Sequence, residues 1–415
     1  MVLNTALLYS AVIASRSSKA LLRRSMTTAM PSPRMIQTDA PVIVTLQKMM
    51  KGKEGILSLA QGIVHWAPPV SAVDGALEAI SSGVAHKYGA DEGIQSLRDA
   101  LASKLSSENG LNNVDVMVTH GANQAFINVA LSLLGENDVA MLFVPFYFNH
   151  KMALQMTGAK LELAPMQNLL PDLAFLEAAL KRPQGAPKMV TIVNPGNPTG
   201  TVVPAALLQR AADLCAAHKC WLVVDNTYES FVYGDAVHAC VGGVHVINLF
   251  SFSKGYGMMG WRVGYVAYDS AGALGPELLK AQDTIAICAT IASQHAAHGA
   301  LEGAGAKWVA DNVAGLSTQK QLVRDALSVL GPDSVSGGDG AIYFFAKLPD
   351  TIRDDRAVVK ALLDDFKVVV LPGYACGAPG YIRVCYANLT AERCAEAAQR
   401  LKTGLEQLLL RAGKA

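Results

Sequence analysis

A lysine and an arginine flank a glycine-rich string in the segment SFSKGYGMMGWRVGY, residues 251–265. Lysine can condense with an aldehyde to form a Schiff base, and its pKa falls when it is desolvated or placed beside other cations. The planar guanidinium of arginine is suited to binding a phosphate or a carboxylate through two hydrogen bonds. Lys254 and Arg262 are therefore the first candidates for chemistry in this sequence.

The glycine string itself, Gly255-x-Gly257-x-x-Gly260, matches the pattern of a dinucleotide-binding loop. Such a loop must join a strand to a helix, and an acidic residue must follow about twenty positions later. Here the residues after Gly260 are WRVGYVAY, which is a strand pattern, and Glu277 lies in a helical pattern. We therefore predict a close-packed turn, and we disfavour a nicotinamide dehydrogenase, which NAD binding would test.

Short apolar runs alternate with helical patterns through the middle of the chain and predict an α/β fold. Apolar strands separated by helices indicate a mostly parallel sheet covered by helices on both faces. The predicted strands are 114–119, 138–144, 189–193, 221–225 and 244–250. Ligands of such sheets bind at the carboxyl ends of the strands. Polar motifs follow these five strands in turn: HGAN (120–123), PFY (145–147), NPGNPTG (194–200), DNTY (225–228) and SFSK (251–254).

The ordered motifs N-P-G-N-P-T-G, D-x-x-Y, S-x-S-K and W-R-x-G resemble those of the class I/II aminotransferases, over nearly the whole chain from about residue 40. Within that family, SLAQGIVHWAPP and VVDNTYESF are similar to the plant aromatic aminotransferase group related to kynurenine aminotransferases. The resemblance implies fold type I, pyridoxal 5'-phosphate (PLP) as cofactor, and a smaller α+β domain built from both chain ends. The predicted parts are a leader (1–30), an N-terminal arm with part of the small domain (31–65), the large PLP-binding domain (66–289) and the small C-terminal domain (290–415).

The resemblance assigns catalytic roles to Lys254, Asp225 and Tyr228, and a cofactor contact to Asn197. Lys254 would hold the cofactor through a Schiff base and move a proton on the substrate α-carbon. Asp225 would keep the pyridine nitrogen protonated, which makes the ring an electron sink; the alternative for this residue is a helix N-cap. Asn197 and Tyr228 would hydrogen-bond the phenolic oxygen of the cofactor, and their alternatives are a turn asparagine and an interface tyrosine.

The remaining cofactor contacts implied by the resemblance lie around the phosphate and the ring. The phosphate would be held by the Arg262 guanidinium, by hydroxyls of Ser251 and Ser253, and by the backbone N–H groups of Ala122 and Asn123 at a helix N-terminus. 

Two tyrosines complete the predicted cofactor site. Tyr147 would stack on the cofactor ring, although three aromatics in FYF are also typical of a core. Tyr88 would reach the phosphate of a neighbouring subunit, with the glycine of its motif five positions on, at Gly93. A site completed by a second subunit implies a homodimer with shared active sites.

The substrate would be held by Arg383 in GYIRVCYA, which matches the arginine that binds the α-carboxylate in this family; the alternative is a surface arginine. Asn197 and the segment QGIVHWAPP (61–69), with Gly62, Val64 and Trp66, would complete the substrate site.

Aspartate-specific relatives need a second arginine, from the segment between the phosphate arginine and the C-terminal domain, for the side-chain carboxylate. From Val263 to Val323 the sequence contains no arginine. We therefore expect aromatic or large apolar donors, namely tryptophan, phenylalanine, tyrosine or methionine, with a 2-oxo acid as acceptor. Carbon–sulfur lyases, aminocyclopropane-carboxylate synthases and non-enzymatic PLP-binding modules remain the alternatives, and the motifs do not choose among pyruvate, phenylpyruvate and 2-oxoglutarate as acceptor.

The amino-acid composition limits which partners and which cellular compartment are expected. A net charge of +1 and 17% charged residues disfavour nucleic acid as a partner, and no run approaches the roughly eighteen apolar residues that span a bilayer. Seven cysteines without a C-x-x-C pair indicate reduced thiols, and His295-x-x-His298 lacks the acidic or cysteine neighbours of a metal site.

The first acidic residue is Asp39, after five basic ones, which predicts a mitochondrial or plastid transit peptide. The alternative is a disordered extension of a cytoplasmic protein.

Overall fold

The computed structural model describes residues 29–414. The chain divides into two compact units, one ending at Asp39 and the other beginning at Ala40. The described part of the first unit contains one short helix, α1 (Pro33–Gln37). Apart from its last two residues, the predicted leader lies outside the described part of the chain, so its role in targeting stays a prediction.

Fourteen strands are found among residues 29–414. They are β1 (Leu57–Ser58), β2 (Val114–Thr119), β3 (Val139–Val144), β4 (Lys160–Gln167), β5 (Leu170–Pro171), β6 (Pro187–Val193), β7 (Trp221–Asp225), β8 (Val246–Ser251), β9 (Gly264–Asp269), β10 (Val335–Ser336), β11 (Tyr343–Lys347), β12 (Val368–Val369), β13 (Leu371–Pro372) and β14 (Tyr381–Cys385). The five strands predicted between residues 114 and 250 all form, and each boundary lies within two residues of its expected position.

The helices of the second unit fill most of the intervals between these strands. They are α2 (Val42–Met50), α3 (Val70–Ser81), α4 (Gln95–Asn109), α5 (Ala122–Leu133), α6 (Phe148–Thr157), α7 (Leu173–Leu180), α8 (Ala205–Ala217), α9 (Leu274–Ala286), α10 (Ile291–Gly299), α11 (Gly305–Ala314), α12 (Ser317–Leu327), α13 (Asp355–Phe366) and α14 (Ala391–Ala412). None of the helices in the described chain is both long and apolar enough to cross a membrane.

The large sheet has eight strands in the order β2-β9-β8-β7-β6-β3-β4-β5. Strands β8, β7, β6, β3 and β4 are parallel, whereas β9 runs antiparallel to both of its neighbours. Along β7, Leu222 and Val224 pack in the cluster that includes α8, and Val223 packs in the cluster that includes α5. The sheet is therefore buried on both faces, as the continuous apolar run WLVV predicts.

A smaller four-stranded antiparallel sheet has the order β10-β11-β14-β13. Strand β1 pairs in parallel with β12, and the Cys385 N–H donates to the Leu59 carbonyl at 2.8 Å. These bonds tie residues 57–59 to the carboxyl-terminal strands. The predicted α/β fold with an α+β part drawn from both chain ends is confirmed, while the boundaries at 65 and 289 stay predictions within one compact unit.

The glycine-rich string joins β8 to its antiparallel neighbour β9 through a short 3₁₀ turn, Met259–Trp261. No α-helix begins there. The Trp66 indole N–H donates to the Gly255 carbonyl at 3.2 Å, so the turn is packed against the chain as expected. The dinucleotide-loop interpretation fails because that loop requires a helix N-terminus.

Candidate active site

The carboxyl ends of β6, β7 and β8 and the start of α5 surround a cavity that is partly open to solvent. Residues from separate parts of the chain converge there because the connections of a parallel sheet leave it at the same edge. Ten residues predicted from the sequence line this cavity: Ala122, Asn123, Tyr147, Asn197, Asp225, Tyr228, Ser251, Ser253, Lys254 and Arg262.

One end of the cavity is built to receive an anion. Helix α5 begins at Ala122, and the N–H groups of a first helical turn lack intrahelical acceptors. Arg262 lies against this turn, donating from Nη1 to the Met259 carbonyl at 3.0 Å and from Nη2 to the His120 carbonyl at 3.2 Å. A Cβ on Gly121 would lie 2.6 Å from the Arg262 Nη2, so glycine is required for this approach. The two positive groups together favour a phosphate dianion.

Lys254 follows β8 and presents its amine to the same cavity. Burial, and then the positive charge of Arg262, lower the pKa of Lys254 to about 8. Ser253 donates its backbone N–H to the Ser251 Oγ at 3.1 Å, which fixes the turn that carries the lysine. An amine with this pKa is partly neutral near neutral pH and can attack an aldehyde.

Asp225 is the last residue of β7 and is buried. The His150 Nε2 lies 3.1 Å from one carboxylate oxygen, and the Thr227 N–H donates to the other at 3.0 Å. Burial alone would raise the pKa of Asp225, but the hydrogen bond from His150 and those from Thr227 outweigh it and lower the pKa. The carboxylate therefore stays ionised, as a partner for a protonated ring nitrogen must. A turn, not a helix, follows Asp225, which removes the N-cap alternative.

His150 was not identified from the sequence. It lies in the first turns of α6 and stacks on Phe126, with ring centroids 4.0 Å apart. A buried histidine on an apolar helix face is usually a core residue, and its carboxylate partner lies far along the chain. The only local signal is its position in VPFYFNH, three residues after the predicted stacking aromatic.

Arg383, from β14 of the smaller sheet, lies beside the cavity and is bonded to Asn197, which lines it. It is 2% exposed, which excludes the surface-arginine interpretation. Nη1 donates to the Asn197 Oδ1 at 2.7 Å and Nη2 to the Ala60 carbonyl at 2.7 Å, while Nε has no partner among the described residues. A buried guanidinium that faces no carboxylate is well placed to bind one that arrives with a substrate.

Tyr147 is held by two amides at the cavity wall. The Asn149 Nδ2 donates to its hydroxyl at 3.0 Å, and that hydroxyl lies 3.5 Å from the Asn123 Oδ1. The edge of its ring meets His150, with ring centroids 5.1 Å apart. These contacts orient the ring beside the site of Asp225, consistent with the predicted stacking role.

Besides Arg383, four predicted residues do not line the cavity. Trp66 is half-buried and stacks on Phe231, and Val64 is buried in the core. The substrate contacts predicted for these two residues stay predictions. Gly62 lies against the Tyr343 hydroxyl. This contact was not predicted from the sequence. Tyr88 lies in a separate surface depression and is 81% exposed, so any contact that it makes with a cofactor requires another subunit.

The described residues fit PLP in three independent respects. The Lys254 amine can receive its aldehyde, the ionised Asp225 can pair with its ring nitrogen, and Arg262 with the α5 N-terminus can hold its phosphate. Among residues 29–414, no group of three histidine, cysteine or acidic side chains is placed to bind a metal ion.

Comparison with known proteins supports the same conclusion. The family model "Aminotransferase class I and II" matches residues 54–401. The chain is 47% identical to aromatic aminotransferase ISS1 of Arabidopsis thaliana, over 92% of this chain and 97% of that one. It is 29% identical to an aspartate aminotransferase of Pyrococcus abyssi, over 91% and 98% of the two chains.

Solved structures agree with the fold. The aromatic aminotransferase from Pyrococcus horikoshii OT3 has a TM-score of 0.79 and 28% identity, with 88% of this chain and 100% of that chain covered. The Thermus thermophilus aspartate aminotransferase with maleate has a TM-score of 0.83, with 91% and 100% covered, and its 23% identity bears on the fold alone. The chain belongs to the class I and II aminotransferase family, and it is a pyridoxal-phosphate-dependent aminotransferase.

Proposed function

We propose that the enzyme transfers the amino group of aromatic or large apolar amino acids, namely tryptophan, phenylalanine, tyrosine or methionine, to a 2-oxo acid. The observation that carries the proposal is the absence of arginine between Val263 and Val323, where aspartate-specific relatives place their second arginine. The name of the Arabidopsis relative, an aromatic aminotransferase, supports the same donor class.

The electrostatics of the site explain why a dicarboxylic donor would fit poorly. Arg383 can bind one carboxylate, and a second carboxylate buried without a partner costs several kcal/mol. Each 1.4 kcal/mol corresponds to about a tenfold loss. The group that lies against the Arg383 guanidinium is the Tyr343 ring, 4.2 Å away at its centroid, which carries no positive charge that could pair with a second carboxylate. An aromatic or apolar donor brings no second carboxylate and avoids this cost.

Each residue of the site has a defined task in the reaction. When bound, PLP supplies an electron sink that makes the α-hydrogen of the amino acid acidic. Arg383, oriented by Asn197, binds and orients the α-carboxylate. Lys254, with a pKa of about 8, can take up and release a proton at neutral pH. Asp225 remains ionised and holds the proton on the ring nitrogen.

The test is the absorption spectrum of the purified protein before and after addition of tryptophan, phenylalanine, methionine or aspartate, each without an oxo acid. We expect the visible band to disappear stoichiometrically with the aromatic donors and methionine. With aspartate we expect the change to be at least about tenfold slower at equal concentration, because its side-chain carboxylate is unpaired.

Three outcomes would contradict the proposal in different ways. Equal rates with aspartate would refute the donor class. Accumulation of pyruvate and ammonia would indicate the carbon–sulfur lyase alternative. The lack of any visible band after addition of PLP would mean that Lys254 does not bind the cofactor.

We also propose that the enzyme is a homodimer with shared active sites. Tyr88 and Ile285 border the same surface depression and are 81% and 46% exposed. Exposed apolar side chains that adjoin one another form the contiguous patches that mark interaction surfaces. A second copy is the partner that the Tyr88 motif implies. Light scattering should give twice the chain mass. Tyr88→Ala should accelerate loss of PLP on dialysis, whereas Leu410→Ala, also at an exposed position, should not; a monomer would contradict the proposal.

A further inference from the structure

A pair of buried tyrosines lies at the edge of the cavity. The hydroxyl oxygens of Tyr343 and Tyr228 are 2.5 Å apart, and the two residues are 1% and 3% exposed. Their rings meet edge to face, with centroids 5.6 Å apart and planes at 77°. Tyr228 lines the cavity, whereas Tyr343 begins β11 behind it. Tyr343 has no role in the chemistry described so far.

The surroundings determine which hydroxyl donates. Within the described chain, the Tyr343 hydroxyl makes its only hydrogen bond with Tyr228. If Tyr228 donated, the Tyr343 proton would be buried without an acceptor, which is unfavourable. If Tyr343 donates, both protons can be satisfied, because the Tyr228 proton then faces the cavity, where a bound group can accept it.

We propose that Tyr343 is a positioning residue whose hydroxyl donates to the Tyr228 oxygen and thereby aims the Tyr228 proton at the phenolic oxygen of PLP. The inference rests on the PLP-dependent function described above and adds a residue to it. A phenol whose oxygen accepts a hydrogen bond is also a stronger donor, because hydrogen bonds in a chain polarise one another. Tyr343 would therefore both direct and strengthen the bond from Tyr228.

Tyr343 is confined on two sides. The Arg383 guanidinium lies over its ring, 4.2 Å from the centroid. On the other side, a Cβ added to Gly62 would lie 1.9 Å from the Tyr343 hydroxyl oxygen and 2.9 Å from Cζ. Any side chain at position 62 would therefore displace the hydroxyl from Tyr228. This contact gives Gly62 a structural reason to be glycine that the sequence did not reveal.

The proposal has a spectroscopic consequence. A hydrogen bond from Tyr228 partly neutralises the phenolic oxygen of PLP, so that oxygen attracts the neighbouring Lys254 proton less strongly. If the hydrogen bond from Tyr228 is weakened, that oxygen holds the Lys254 proton more strongly. The pH midpoint of the visible band should then rise. The titratable groups that face Tyr228 or Lys254 are Tyr147, Asp225, Arg262, Tyr343, Arg383 and Cys385. Replacing Tyr343 with phenylalanine leaves the other five unchanged.

The experiment titrates the visible band of the holoenzyme from about pH 5 to pH 10 in the wild type, Tyr343→Phe, Tyr228→Phe and the double variant. We expect Tyr343→Phe to raise the midpoint by up to about one pH unit, the scale of one neutral hydrogen bond, and Tyr228→Phe to raise it further. In the double variant Tyr343→Phe should add nothing, because its effect acts through Tyr228.

An unchanged midpoint in Tyr343→Phe would overturn the inference. So would a Tyr343→Phe substitution that shifts the midpoint equally in the wild type and in the Tyr228→Phe variant. A raised KM for all donors at an unchanged midpoint would do the same, since it would show that Tyr343 acts on Arg383 only. Thermal unfolding of the apoproteins verifies that each variant is folded. Failure of the proposed donor class is distinguishable, because it would appear in the wild-type donor rates and leave these midpoints unaffected.

Discussion

Replacing Lys254 with alanine should abolish amino-group transfer, with a loss of at least about 10⁴-fold in kcat. Proton transfer by a positioned side chain contributes about 10²–10⁴-fold by itself, and the variant also loses the covalent attachment of the cofactor. The fold should survive. The Lys254 amine makes no hydrogen bond within the described chain, and the same burial that lowers its pKa to about 8 makes the charged amine unfavourable there. Removing it therefore leaves no buried partner unsatisfied.

The measurement combines single-turnover kinetics with phenylalanine, the visible spectrum after addition of PLP, and the melting temperature. Lys280→Ala is the matched control, because Lys280 is exposed and its one ion pair among residues 29–414 is with Glu277 on the surface of α9. The control should keep the band and the rate of the wild type. A Lys254→Ala protein that still loses a visible band on addition of phenylalanine would show that another amine holds the cofactor.

Most of the site could be predicted because its motifs are local and follow strands that are easily identified. The run WLVVD ends in the carboxylate, and VHVINLF leads directly into SFSK. A strand buried on both faces produces a continuous apolar run, so its carboxyl end is visible in the sequence. The residues that follow such ends meet at one edge of the sheet, and ten of the predicted residues line one cavity.

The residues that were missed act through partners distant in the chain. His150 is identified only by its bond to Asp225, and Tyr343 only by its bond to Tyr228. Both occupy apolar segments in which a buried aromatic side chain is the ordinary expectation. For Trp66, the segment QGIVHWAPP indicates aromatic surface, but it does not show that the indole N–H donates to the Gly255 carbonyl or that the ring stacks on Phe231. Sequence patterns do not reveal which neighbour satisfies a polar atom.

Replacing Arg383 with alanine should reduce kcat/KM for every amino-acid donor by about 30-fold to several thousandfold. This range corresponds to about 2–5 kcal/mol, the usual cost of removing one partner of a buried, hydrogen-bonded charge pair. Arg383→Lys should recover little, since an ammonium cannot form two parallel hydrogen bonds with a carboxylate. The apoprotein should remain folded, because among the residues that the structure describes the Arg383 Nε already has no partner and no carboxylate pairs with its charge.

The decisive comparison uses phenylalanine and phenethylamine, which share a ring and differ in the α-carboxylate. The wild type should strongly prefer phenylalanine, and Arg383→Ala should remove most of that preference while changing the rate with phenethylamine little. Arg324→Ala is the control, because this arginine also lies over an aromatic ring, 4.9 Å from the centroid of Phe344, but is exposed and donates to the Gly337 carbonyl. If Arg383→Ala kept the preference for phenylalanine, a group other than Arg383 would bind the α-carboxylate. Loss of that preference would establish that the smaller sheet, through β14, supplies the substrate-binding half of a site whose cofactor half is built on the larger sheet.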